Sequence, residues 1–333
     1  MTDVTEPKVV QVLRAYRASL DAMELGVIEA LGRRWLMVED RLMNDITALE
    51  AKIREEVKAG RKVSQQLIWR METYKRMKAR LEEELNRFND DAAREIGERQ
   101  IEFAMHGVRS GADAIRASYQ TAVGAWFPVI NRGAVEAMSG LLSNGAPLLS
   151  LLKQDYPLAL DGLVNALING MARGMNSSEI AKEMATGMGM GLNRALLIAR
   201  TECANAYRFA QIEQYRQSRV VTGFRRLVKK ATACAACLML DGEKFSLAEQ
   251  LYDHPAGKCQ AVPDVKGVKP VMWETGREYF ERLSPDEQKT RMGAERYALW
   301  KDGAFELGDL AQVQENATWG KSPRVATLKE LGG

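Results

Sequence analysis

An unbroken helical rhythm through the first hundred residues constrains this chain more than any other feature. Leu13, Tyr16, Leu20, Met23, Val27, Leu31, Trp35, Val38, Leu42, Ile46, Leu49 and Ile53 follow one another in steps of three or four. That spacing collects apolar side chains on one face of an α-helix. No proline interrupts Val9–Ala59, and Gly60 supplies a stop signal. A second run, Ile68, Met71, Tyr74, Met77, Leu81, Leu85, Phe88, Ala92 and Ile96, repeats the pattern. Each helix has one apolar stripe to bury, so the two are expected to fold back as an antiparallel hairpin. Helices of about 45 residues, rising about 1.5 Å per residue, would make an arm on the order of 65–70 Å long. Basic and acidic residues balance over positions 1–110, which suits a solvated or protein-facing surface better than a DNA-facing one. His106 falls at the end of the arm and reads as a surface residue.

Pro128, Gly133, Gly140, Pro147 and Pro157 punctuate positions 111–190, predicting shorter helices joined by loops. Asn176 to Glu179 reads as a helix start, and the Gly/Met-rich stretch Ala185–Leu192 as a flexible loop. A helix is expected from Leu192 to about Ser218, with Leu196, Ala199, Cys203, Ala206 and Ala210 on its apolar stripe. Thr222–Ala231 reads as a strand. Its cluster Arg225, Arg226, Lys229 and Lys230 is either a nucleic-acid contact or the solvated edge of a sheet, where cations blunt strand pairing. Asp241-Gly242 is a hairpin-turn signal. Ser284-Pro285-Asp286-Glu287 is a helix start with a capping box, and Gly293 and Gly303 end two short helices. The expected fold is mainly α. It has a long N-terminal helical hairpin (1–110), a helical middle (111–190) and a C-terminal domain (191–333) containing a small α+β lobe with a Cys/His ribbon near 220–265.

Catalytic signatures are scarce. His106 and His254 are the only histidines. No nucleophile-elbow, Walker or dinucleotide-binding glycine pattern occurs. Acid pairs on the arm read as solvated faces, so a non-enzymatic protein is expected. A net charge of +3 gives no nucleic-acid surface by itself. No stretch reaches the roughly 20 apolar residues of a membrane span. The first residues lack the basic start and apolar core of a signal peptide, which predicts a cytoplasmic origin with reduced thiols.

One constellation has suggestive chemistry. Cys234 and Cys237 form a C-x-x-C pair, followed by His254 and Cys259. Three thiolates and an imidazole complete a tetrahedral zinc site with no open position, the structural rather than catalytic pattern. Reduced thiols in a small lobe, or a disulfide formed after release from the cell, are the other readings. One structural zinc is the only candidate cofactor.

The run Arg194-Ala-Leu-Leu-Ile-Ala-Arg200-Thr201-Glu202-Cys-Ala-Asn-Ala-Tyr-Arg208 resembles a helix of the phage Mu F-like head-morphogenesis family. The order that follows is similar too: Cys234-x-x-Cys237, Leu240-Asp241-Gly242, Phe245, then His254-Pro255 and Cys259. The family's ending is usually His-Pro-x-Cys-Arg-Cys. Here Gly257 stands in place of one cysteine and Lys258 in place of arginine. The closing helices, including Thr275-Gly276, Ser284–Gln288 and Leu299–Gly303, extend the likeness. The resemblance implies a minor head protein of a tailed phage, made in the host cytoplasm and carried in the virion at the portal vertex or head interior. Portal protein, major capsid protein and packaged DNA are its implied partners, and it is a candidate oligomer on the particle. Arg194, Arg200, Thr201 and Glu202 would then be structural motif residues. The rival readings are a DNA-binding packaging or ejection factor using Arg225, Arg226, Lys229 and Lys230, and a delivered enzyme or toxin carrying this module.

Overall fold

The computed structural model describes residues 6–61, 67, 70–119, 139–140, 146, 148–153, 166, 175, 177–316 and 318–333. The loops expected around Pro128, Gly133, Pro147 and Pro157, and the cap at Asn176, lie outside the described residues. The protein is mainly α-helical, with a small sheet-bearing lobe. It divides into two compact units. One is drawn from Met1–Met23, Gln100–Ser139 and Thr201–Gly333, the other from Glu24–Arg99 and Gly140–Arg200. Among the described residues, no helix is long and apolar enough to cross a membrane.

The second unit contains most of the expected hairpin. Helix α1 (Lys8–Lys58) has 51 residues and α2 (Glu72–Ser118) has 47. From Leu31 to Ile53 the stripe positions of α1 are buried, as are their counterparts on α2 from Tyr74 to Ile96. Trp35 meets Phe88 edge-on, with ring centroids 4.9 Å apart. The ion pairs Arg34–Glu95, Arg41–Glu84 and Arg80–Asp45 record the antiparallel register. Part-exposed pairs of this kind contribute about 0–1 kcal/mol each, whereas each buried leucine contributes about 1.5–3 kcal/mol. The stripe therefore holds the hairpin and the charges set its register. Gly60 ends α1 in a left-handed conformation at φ 72°. The Arg61 N–H reaches back to the Glu56 carbonyl at 3.1 Å, a Schellman-type stop. A short helix α3 (Leu148–Lys153) buries Leu148, Leu151 and Leu152.

Helix α4 (Ser177–Ser218) contributes to both units and corrects one expectation. The Gly/Met-rich stretch 185–192 is helix, not loop. Its glycines cost about 1 kcal/mol each relative to alanine, but Met, Ala and Leu favour helix and no proline breaks the run.

In the first unit, α2 and the second half of α4 approach closely. A Cβ added at Gly107 would lie 2.2 Å from the Tyr207 carbonyl oxygen, so only glycine fits there. His106 is half-buried rather than superficial, tilted against Tyr16 at 4.7 Å and Tyr207 at 6.1 Å between ring centroids. Beyond α4 lies a three-stranded antiparallel sheet. Strand β1 (Val221–Leu227) is central, flanked by β2 (Lys244–Ser246) and β3 (Gln260–Val265). Phe224 pairs with Phe245 on one side and Pro263 on the other. A central position explains why Arg225 and Arg226 are buried where a sheet edge would have exposed them.

Asp241-Gly242 is not a hairpin turn. It follows the short helix α5 (Ala235–Met239), and Gly242, at φ 86°, sends its N–H to the Arg226 carbonyl. The positive φ that the dipeptide favours is used to leave a helix. The capping box at Ser284 starts α7 (Pro285–Met292), preceded by α6 (Gly276–Glu281) and followed by α8 (Ala294–Lys301). A closing hairpin of β4 (Ala311–Asn316) and β5 (Gly320–Val325) was not expected. Gln312, Gln314 and Pro323 blur its alternation.

Candidate metal centre

The site begins with α5. Cys234 is its N-cap, and the Cys234 Sγ accepts the Cys237 N–H at 3.4 Å. One turn of helix thus turns two thiols toward the same point. The return half is the segment between β2 and β3. There Asp253 organises the chain: one carboxylate oxygen accepts the His254 N–H and the other the Cys259 N–H, each at 2.9 Å. His254 to Gly257 closes a tight turn through Gly257 N–H to the His254 carbonyl at 2.8 Å. Gly257 cannot carry a side chain, because a Cβ there would meet the Asp253 carboxyl carbon at 2.2 Å.

These two halves bring all four sequence-predicted ligands into one neighbourhood. The donor atoms of Cys234, Cys237 and His254 lie within 4.8 Å of one another, and so do those of Cys237, Asp253 and Cys259. Cys237 belongs to both sets. Its Sγ is 4.0 Å from that of Cys259 and 3.8 Å from the Asp253 carboxylate. Cys237 and Cys259 are buried and Cys234 is half-buried. All four cysteines are free thiols, and Cys203 is buried in α4 as its stripe position predicted.

The electrostatics are those of a strongly coupled cluster. The hydrogen bond with Cys237, supported by His254, pulls the Cys234 thiol down to about 4 against the effect of burial. Contact with Cys234 pushes His254 up to about 9. Cys237 is pushed well above the usual thiol range by Cys234, Cys259 and burial. Burial alone would raise Asp253, but Arg208, His254, the Cys259 N–H and Arg226 outweigh it and hold the carboxyl low. Arg208 is buried on α4 and contacts Asp253 at 3.4 Å and the Gly257 carbonyl at 2.7 Å. Sequence reasoning missed Asp253 and Arg208.

The motif helix bears directly on this turn. Thr201 accepts the Ala256 N–H on its hydroxyl at 2.9 Å, which ties the Arg200-Thr201-Glu202 end of the motif to the His254-Pro255 loop. Glu202 is buried and accepts from Asn205 at 3.2 Å. Arg194 is half-buried, and Arg200 pairs with Glu24 within the second unit.

Residues 161–261 match the family model described as Phage Mu protein F like protein. This segment belongs to the Mu F-like phage head family. No curated protein and no solved structure matches the chain. The matched segment contains all four candidate Cys/His ligands and the Arg194–Glu202 motif, and leaves the helical hairpin outside it.

The cluster Arg225, Arg226, Lys229 and Lys230, a nucleic-acid contact or a solvated sheet edge by sequence, also falls within the Mu F-like segment, and each cation has a protein partner. Arg225 pairs with Asp264 at 2.9 Å and stacks over Trp273, 4.7 Å from the ring centroid. Arg226 is fully buried, pairs with Glu243 at 3.0 Å and lies over Tyr252. Lys229 contacts Asp21 and Lys230 contacts Glu274. Structurally, the four brace β1 and its surroundings.

Proposed function

We propose that this protein is a non-enzymatic minor structural component of a tailed-phage head, docking on the portal or inner capsid through the outer face of its hairpin. Membership of the Mu F-like segment in a phage head family carries the first half of this reading. Helix α1 supports the second. Leu25, Leu36, Met43 and Val57 are exposed large apolar side chains. At 100° per residue they fall along one line of the helix, with Gly32 on the same line and open space above it. A stripe of this kind, flanked by charge, suits the apolar face of a partner helix. Lone exposed leucines are commonplace, but an aligned series invites an interface.

The engagement of Arg225, Arg226, Lys229 and Lys230 in ion pairs favours a structural role for these four residues over a DNA contact.

Affinity purification from phage-producing cells tests the docking. The wild-type chain should bring down a portal or capsid protein, and Leu36→Glu/Met43→Glu should lose it while staying folded. Equal recovery of partners by both would overturn the proposed docking face.

A further inference from the structure

We propose that Cys234, Cys237, His254 and Cys259 bind one Zn²⁺ in a closed tetrahedral site, with Asp253 positioning two of the ligands and not coordinating. Zn–S bonds of about 2.3 Å in a tetrahedron place sulfurs about 3.8 Å apart. The Cys237 and Cys259 sulfurs, at 4.0 Å, already stand at that spacing. The Cys234, Cys237 and His254 donors lie within 4.8 Å of one another, and Cys234 and His254 must draw in toward Cys259 to complete the tetrahedron, since Zn–N bonds are about 2.0 Å. Asp253 is fully buried, and both of its oxygens are occupied by the N–H groups of the ligand residues His254 and Cys259. This outer-shell arrangement fixes ligand orientation.

A second observation is independent of these spacings. Three guanidinium groups are buried around the site: Arg17, Arg208 and Arg226. Arg17 interacts with Cys259 and Asp253, Arg226 with the same two, and Arg208 with Asp253. Both terminal nitrogens of Arg226, and Nε of Arg208, are buried without a hydrogen-bond partner. Buried cations are costly unless anions face them. Asp253 and Glu243 already face Arg208 and Arg226, and three thiolates around a divalent ion form a singly negative centre that would supply anionic charge for the third guanidinium. Binding exchanges the ion for thiol protons, which pass to solvent, and nothing is oxidised or reduced.

The site deepens the structural reading without depending on it, because its test needs no phage particle. Full-length protein purified without chelator should carry close to one zinc per chain by elemental analysis. Chelator should lower its melting temperature, and added Zn²⁺ should restore it. Reconstitution with Co²⁺ should give the intense visible bands of a tetrahedral site and thiolate charge transfer in the near ultraviolet. Cys259→Ser should reduce that charge transfer by about a third, from three thiolates to two, while Cys203→Ala should leave metal content unchanged. Three results would overturn the proposal: metal-free protein with an unchanged melting temperature in chelator, a Cys237–Cys259 disulfide in freshly purified protein, or an octahedral Co²⁺ spectrum. Wild-type stoichiometry and spectrum decide the matter even if Cys259→Ser fails to fold.

Discussion

Asp253 has its place only because position 257 carries no side chain. Where the resembling family has a further cysteine, this chain has Gly257, and the Asp253 carboxylate fills the space a Cβ would need. A second buried carboxylate, Asp241, gives the lobe a pH response. Burial pushes Asp241 up to about 6 from an ordinary 3.8, against the Val228 N–H and Trp273 Nε1–H that it accepts. Its folded-state pKa is raised, so its contribution to stability is fully present below about 3.8 and lost as pH rises through about 6. Asp241→Asn should remove that change. In metal-free protein, the unfolding free energy of wild type relative to the variant should fall between pH 4 and 6 and level off above. A constant difference across that range would contradict it. The cysteines and His254 were legible because unlike residue types clustered in a short span. Asp253 was not, since an aspartate in a loop reads as turn chemistry until its N–H donors are known. Nor was the burial of Arg225 and Arg226, because a strand's own sequence does not say whether it is central or at an edge.

At the scale of elements, periodicity decided what could be read. The hairpin was visible because two long stripes leave no other way to bury themselves, and Leu42 sits fully buried in that seam. Leu42→Ala should cost about 2–5 kcal/mol in urea unfolding. Leu36→Glu, six residues away on the exposed face, should change stability by no more than about 0.5 kcal/mol. Equal losses would mean that the faces of α1 are misassigned. The stretch 185–192 misled because glycine was weighed without the long helix on either side of it. Strands β4 and β5 escaped notice because glutamines alternate with weak apolar positions and Pro323 interrupts the second strand. Asp241-Gly242 signalled a real positive φ but the wrong kind of turn, since helix exits and hairpins both favour glycine there.

At the scale of the whole molecule, each unit is assembled from stretches far apart in the chain. The start of α1 and the end of α2 share a unit with the sheet and the Cys/His cluster, while the rest of both helices forms the hairpin of the other unit. The family-matched segment 161–261 contributes to both units, and the core of the sheet-bearing one also draws on Val9, Leu13, Ile115, Phe280 and Leu310 from outside it. The proposed role in the phage head would use both: a lobe held by buried ion pairs and an exposed apolar line on α1. The most direct test is quantitative mass spectrometry of gradient-purified proheads, DNA-filled heads and soluble extract from cells producing the phage. A head component should co-sediment with particles at a fixed ratio to the portal protein. Recovery only in the soluble fraction, with particles complete in its absence, would contradict that role.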